Sequence, residues 1–219
     1  DENAGYAMQH VGRCEGEIEE CRQHRFRVDA VRDRKTRKLA PSPTRNPRAL
    51  HDVAGGGVAI ADDHSVDEPG AGQAIAKTAL VAFGRIDIVI CNAGITILEP
   101  FDQLDLQNFR KVVDVNLWGT VNIVHAVWPT LVKQRYGRIV LTTSTGGFYG
   151  VPNSTPYSTT KASLIGFARA LTFDVPAGAD IKINVLAPGA ATKMLKGWLT
   201  DEMAAALRLE PVVTTAAWL

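Results

Sequence analysis

The 219-residue chain has only three cysteines, Cys14, Cys21 and Cys91. An odd number at irregular spacing gives no disulfide framework. Cys14, Cys21 and His24 match no common zinc spacing and lack a fourth ligand, so no metal site is expected. No apolar run approaches the ~20 residues of a membrane span. No signal-peptide pattern opens the sequence, so a reducing cytoplasm is the expected location. Charge of one sign is lacking too. Lys and Arg number 24 and Asp and Glu 23, a formal net charge of +1. Nucleic acid and membrane are therefore not expected partners.

Structure-forming pattern is missing from residues 1–50. They hold 11 Lys or Arg, 8 Asp or Glu and 16 apolar residues, whereas about half of the remaining residues are apolar. Arg22 to Lys38 shows no convincing helix or strand period, and Pro41, Pro43 and Pro47 punctuate the stretch after it. Residues 1–50 therefore read as an aperiodic basic segment, and residues 51–219 as one ordered domain.

From Gly57 onward, strands and helices alternate. Val58–Ala61, Ile86–Cys91, Arg138–Thr143 and Lys182–Leu186 read as short buried strands. Ala71–Phe83 reads as a helix with Gly84 as its C-cap. Asp105 is placed to N-cap a long helix reaching about Gln134, which Asn116 and Gly119 interrupt. Pro156–Phe173 reads as a helix with Leu164, Ile165, Ala168 and Leu171 as its apolar stripe. Gly146, Gly147 and Gly150 predict a mobile loop ahead of it. The alternation predicts an α/β fold with a doubly wound parallel sheet. Asn92, Ser144 and Pro188 each closely follow a strand. They should gather on the carboxyl rim, where such sheets bind ligands.

The chemistry centres on Tyr157-Ser158-Thr159-Thr160-Lys161. Positions i and i+4 share a helix face, so the phenol and the ammonium can reach one site. Ser144 lies thirteen residues before Tyr157, at the end of a strand. A free tyrosine has a pKa of roughly 10, and a nearby ammonium favours the phenolate. A hydroxyl, a phenol and a lysine together point to proton transfer at an alcohol or ketone oxygen.

Ser144, Tyr157 and Lys161 resemble the catalytic set of the short-chain dehydrogenases/reductases. Cys91-Asn92-Ala93-Gly94 is similar to that family's Asn-Asn-Ala-Gly signature, with Cys91 in place of the first Asn. Asn116 sits where the family has its helix asparagine, and Pro188-Gly189-Ala190-Ala191-Thr192 is similar to its Pro-Gly-x-x-Thr loop. The resemblance implies an NAD(P)-dependent oxidoreductase acting on a secondary alcohol or ketone, similar to the hydroxyacyl-CoA and hydroxysteroid dehydrogenase branch. It makes Tyr157 the general acid/base, with Lys161 lowering its pKa and holding the nicotinamide ribose. Ser144 then orients the substrate oxygen, and Asn116 supports a water relay to the lysine. Asp63, Asn92, Ala93, Gly94, Pro188, Gly189 and Thr192 line the NAD or NADP site alongside Tyr157 and Lys161. The resemblance also implies a homodimer or homotetramer.

The family's Thr-Gly-x-x-x-Gly-x-Gly turn is the notable absentee. Gly5, Gly12 and Gly16 do not reproduce that spacing, and no apolar strand is evident before them. The ribose-reading acid is not evident either. Residues 1–50 therefore read as a divergent extension, a basic arm or a wrong-frame start, and the end after Thr192 reads as truncated. The rival reading is a non-catalytic remnant of the family, surviving as a dimerising or interaction module.

Overall fold

A computed structural model describes residues 60–190 and 200–219, apart from the side chain of Ala204. It also describes the backbone of four strands: β1 (Tyr6–His10), β2 (Arg27–Val31), β3 (His51–Asp52) and β4 (Val58–Ala59). The remaining elements are α1 (Ala71–Phe83), β5 (Ile88–Cys91), α2 (Leu106–Val113), α3 (Gly119–Gln134) and β6 (Tyr136–Thr142). They continue with α4 (Gly146–Tyr149), α5 (Thr155–Phe173), β7 (Asp180–Leu186), α6 (Asp201–Ala206) and α7 (Glu210–Trp218).

Among the described residues the main sheet runs β2-β1-β5-β6-β7. Four of its strands are parallel, and β2 runs antiparallel to β1. The α/β class and the parallel core agree with the sequence. Ile139, Val140 and Leu141 of β6 are fully buried, as expected of an interior parallel strand covered on both faces. One core joins this strand to α1 and α3 through Ile75, Ala79, Val89, Val124, Val127 and Leu131.

Three expectations need correction. Residues 1–50 do supply strands. Tyr6–Met8 pairs with Ile88–Ile90, and Arg27–Val31 adds an edge. Both segments are five residues long with polar members, so neither looks like a buried apolar run. Arg27-Val28-Asp29-Ala30 does alternate, a pattern compatible with an edge position. Second, Val58–Ala59 pairs with His51–Asp52 in a separate two-stranded sheet. Third, Gly146–Tyr149 forms a helical turn rather than an open loop. The Gly147 and Phe148 amides donate to the Ser144 and Thr145 carbonyls, and the Tyr149 amide also reaches Thr145.

Local signals fix the helix ends. Gly84 adopts φ 74°, and its amide donates to the Leu80 carbonyl. The Asp105 carboxylate accepts from the Gln107 amide at 2.8 Å. The long helix after Asp105 is interrupted as expected. A five-residue π-turn, Asp114–Trp118, separates α2 from α3. Cys14, Cys21, His24 and the helical piece expected at Lys193–Trp198 lie outside the described residues. Among the described residues, no helix is long and apolar enough to cross a membrane, and no group of side chains could hold a metal ion.

Two glycines give a direct test of the packing between helices. A Cβ on Gly72 would lie 2.4 Å from the Asn122 carbonyl oxygen, an unyielding backbone atom of α3. A Cβ on Gly166, on the exposed face of α5, would meet nothing within 4 Å. Gly72→Ala should cost about 1–3 kcal/mol through overpacking. Gly166→Ala should gain up to about 1 kcal/mol from helix propensity. Thermal denaturation followed by circular dichroism checks both signs.

Candidate active site

The sheet register levels three strand ends. Cys91 pairs with Leu141, and Thr142 pairs with Leu186. Asn92-Ala93-Gly94, Ser144 and Pro188-Gly189 therefore leave the same rim.

Lys161 lies on α5 and is almost fully buried. Its Nζ donates to the Thr142 carbonyl at 2.6 Å, and its own carbonyl accepts from Thr143 Oγ1 at 2.5 Å. Both ends of the residue are thus tied to the end of β6. Burial pulls its pKa down to about 8, with Cys91 acting the other way. The neighbouring Cys91 thiol is pushed up to about 12 by burial, so it stays neutral.

Tyr157 sits one turn earlier, with Lys161 Nζ 5.7 Å from its ring centroid. Burial raises the phenol pKa, and a hydrogen bond with Ser144 opposes the rise. This differs from the expectation that Lys161 depresses the phenol. The ammonium is occupied by the Thr142 carbonyl, and desolvation is the larger effect on both groups. Ser144 Oγ also accepts from the Gly146 amide at 3.1 Å, which turns the chain into α4.

Asn116 is fully buried in the π-turn. Its Oδ1 accepts from the Ile95 amide at 2.8 Å, and its Nδ2 donates to the Ile95 carbonyl at 3.0 Å. The segment leaving β5 is thereby fastened to the helix layer. π-turns often mark functional sites because the extra residue re-aims one side chain. Here that side chain is Asn116. A Cβ on Gly94 would sit 3.3 Å from Asn116 Oδ1 and 3.4 Å from Lys161 Nζ.

The other candidates are placed less closely. Asp63 is exposed, while its neighbour Asp62 is buried. Asp62 accepts from Thr78 Oγ1 at 2.6 Å and from the His64 amide at 3.0 Å, and its other contact is His64 Nδ1 at 2.6 Å. Ala93 is buried, Asn92 and Pro188 are half-buried, and Gly189 is exposed. Thr192 lies outside the described residues. Sequence reasoning missed Thr142, Thr143 and Thr160, which hold Lys161 and Asn116. Their signal was weak, since threonines at a strand end and in a helix are ordinary.

The expected absence of a glycine turn also needs qualification. β1 lies parallel to β5 and ends at His10, two residues before Gly12. Gly12 and Gly16 keep the first interval of the Gly-x-x-x-Gly-x-Gly pattern, with Ile18 at the last glycine. These three residues lie outside the described ones.

The family model for short chain dehydrogenases matches residues 48–203. The chain belongs to the short-chain dehydrogenase family. It is 39% identical over 153 residues to a peroxisomal hydratase-dehydrogenase-epimerase of Neurospora crassa, covering 70% of this chain and 17% of that one. It is 33% identical over 161 residues to a 3-oxoacyl-acyl-carrier-protein reductase of Synechocystis, covering 74% and 62%. The crystal structure of an NAD+-bound xylitol dehydrogenase superposes with a TM-score of 0.55 at 29% identity, covering 58% of this chain and 49% of that one. The chain thus spans less than two thirds of each of these relatives.

The buried lysine generates a pH test. Its charged form is disfavoured in the fold, so the unfolded chain binds that proton more tightly. The resulting penalty is fully present below about 8. It should fade as pH rises toward the ordinary lysine value of roughly 10.4. The parent should therefore gain stability relative to Lys161→Met across that window. Thermal midpoints of both proteins against pH check it, and a flat difference would show that Lys161 is not perturbed.

Proposed function

We propose that this chain is an NAD(P)-dependent oxidoreductase that exchanges a hydride with a secondary alcohol or ketone. The observation that carries the reading is the gathering of Ser144, Tyr157, Lys161 and Asn116 at one rim of the sheet, where Ser144 counters the rise that burial imposes on the phenol. The family membership supports it, as does the NAD+ named for the xylitol dehydrogenase structure. The residues present fit a dinucleotide. Gly94 leaves open the space between Asn116 Oδ1 and Lys161 Nζ, so backbone and ammonium can both face a ligand. Asn92, Ala93, Gly94, Pro188, Gly189, Thr192 and the Lys161 ammonium would hold the cofactor, with Asp63 at the adenine end. When bound, the nicotinamide supplies the hydride donor or acceptor.

The chain's own residues manage the proton. Ser144 holds the substrate oxygen beside Tyr157. In the reductive direction Tyr157 gives its phenolic proton to the oxygen as the carbonyl carbon gains hydride. In the oxidative direction the phenolate takes the hydroxyl proton as hydride leaves that carbon. A ligand that drew the Lys161 ammonium off the Thr142 carbonyl would let it steady the phenolate, and Asn116 holds the Ile95 segment against the site. The 3-oxoacyl and hydratase-dehydrogenase relatives favour an acyl chain bearing a 3-oxo or 3-hydroxy group, including a hydroxyacyl-CoA. A relative named for the peroxisome makes that organelle an alternative to the cytoplasm.

Tyr157→Phe should lower turnover by about 10²–10⁴-fold with the fold intact. A steady-state assay of nicotinamide absorbance beside circular dichroism checks it, and a Phe variant at parental rate would end the assignment. Calorimetry with NADH and NADPH addresses the rival reading. A chain that binds neither is the non-catalytic remnant.

The same reading includes a homo-oligomer. Trp118 at the start of α3 is 51% exposed and Phe173 at the end of α5 is 90% exposed, with Leu106 exposed on α2. Large apolar groups along these helices favour pairing of two copies about a two-fold axis. Light scattering at micromolar concentration should give a dimer or tetramer. A monodisperse monomer would count against it.

A further inference from the structure

Thr160 has no role in the proposed proton transfer, yet it is 1% exposed and lies between Tyr157 and Lys161. Its Oγ1 donates to the Tyr157 carbonyl at 2.9 Å and accepts from Asn116 Nδ2 at 3.1 Å. Donation to an earlier carbonyl is commonplace for a helical threonine. Acceptance from a fully buried amide is not, and the direction of every bond in this chain is fixed.

The Asn116 amide faces both the N–H and the C=O of Ile95. Only one orientation satisfies both, with Oδ1 toward the N–H and Nδ2 toward the C=O. The second Nδ2 hydrogen therefore points at Thr160. The Thr160 oxygen must accept it, which leaves its own proton for the Tyr157 carbonyl. A directed line of bonds thus runs from the segment after β5, through the π-turn, to the first turn of α5. That turn carries the phenol, and Lys161 is the residue next to Thr160.

We propose that Thr160 is a positioning residue, whose hydroxyl holds the Tyr157 turn of α5 against Asn116 and so keeps the phenol beside Ser144. This rests on the oxidoreductase reading. Thr160→Val has nearly the same shape but cannot accept from Asn116. The amide is then left with a buried unpaired hydrogen, and the Tyr157 turn is released. Thr160→Ser keeps the hydroxyl.

Two readouts separate this proposal from the reading beneath it. The first is steady-state turnover of the whole chain. Thr160→Val should lose roughly tenfold in kcat with cofactor KM little changed. Thr160→Ser should stay within about twofold of the parent. Equal loss in both variants, or none in Val, overturns the proposal. The second needs no activity. The ultraviolet phenolate signal is titrated in the parent and in Thr160→Val, each against its own Tyr157→Phe counterpart, which isolates the Tyr157 midpoint. A phenol drawn away from Ser144 loses the neighbour that opposes its raised pKa, so Thr160→Val should move the midpoint upward. Thr160→Ser should not. An unmoved midpoint in Val overturns the positioning role whether or not the chain turns over. An inactive parent with a shifted Val midpoint sinks the oxidoreductase reading and leaves Thr160 in place.

Discussion

The constraint behind this site is a lysine ammonium placed almost wholly inside the protein. Lys161 has the Thr142 carbonyl as its hydrogen-bond acceptor, at 2.6 Å. A buried cation is unfavourable unless dipoles are aimed at it, and one carbonyl is a modest answer. Its lowered pKa is the direct expression of that shortfall. The surroundings are built for close approach. A Cβ on Gly147 would lie 2.8 Å from the Lys161 carbonyl carbon, so α4 can cross α5 only where it has a glycine. Gly94 packs closely on the other side, where a Cβ would lie 3.4 Å from Lys161 Nζ. The arrangement keeps the ammonium buried against the end of β6.

The second constraint is the π-turn at Asp114–Trp118. A regular helix through this segment would have rotated Asn116 away from its present bonds. The inserted residue brings the amide onto Ile95 and Thr160. Thr120 Oγ1 donates to the Asn116 carbonyl at 3.0 Å, beside the disturbed part of the helix ladder. Gly119, just after it, allows Val66 to pack against the helix, since a Cβ there would lie 2.5 Å from Val66 Cγ2.

How much of this could be read from the residues depends on the range of the interaction concerned. Gly84 and Asp105 were legible because capping is local, and each cap bonds within four residues of itself. The α1 boundaries and the shared face of Tyr157 and Lys161 were legible for the same reason. The gathering of Asn92, Ser144 and Pro188 followed from strand order alone. Thr160 and Thr143 were not legible, because their partners lie 44 and 18 residues away and any helix or strand end tolerates a threonine. A π-turn leaves no periodic mark, since one extra residue changes only the bonding register. β1 and β2 were missed because pairing along a short backbone segment does not need a long apolar run.

The state of Tyr157 has a consequence for direction under the proposed role. Two influences compete over its proton. Burial holds the proton on, and Ser144 loosens it, with burial the larger. Lys161 stands 5.7 Å from the ring but is engaged with Thr142. The resting phenol is therefore neutral near neutral pH, the form that can donate to a ketone oxygen. Oxidation of an alcohol needs the phenolate instead, which the site as it stands disfavours. A ligand that draws the ammonium off Thr142 and toward the ring would shift this balance, because an opposite charge nearer the phenolate favours it. The same lysine that burial makes reluctant to stay charged is thus the group through which occupancy of the rim can reach the acid/base residue. Its lowered pKa then sets how much positive charge is available for that task as the pH rises past about 8.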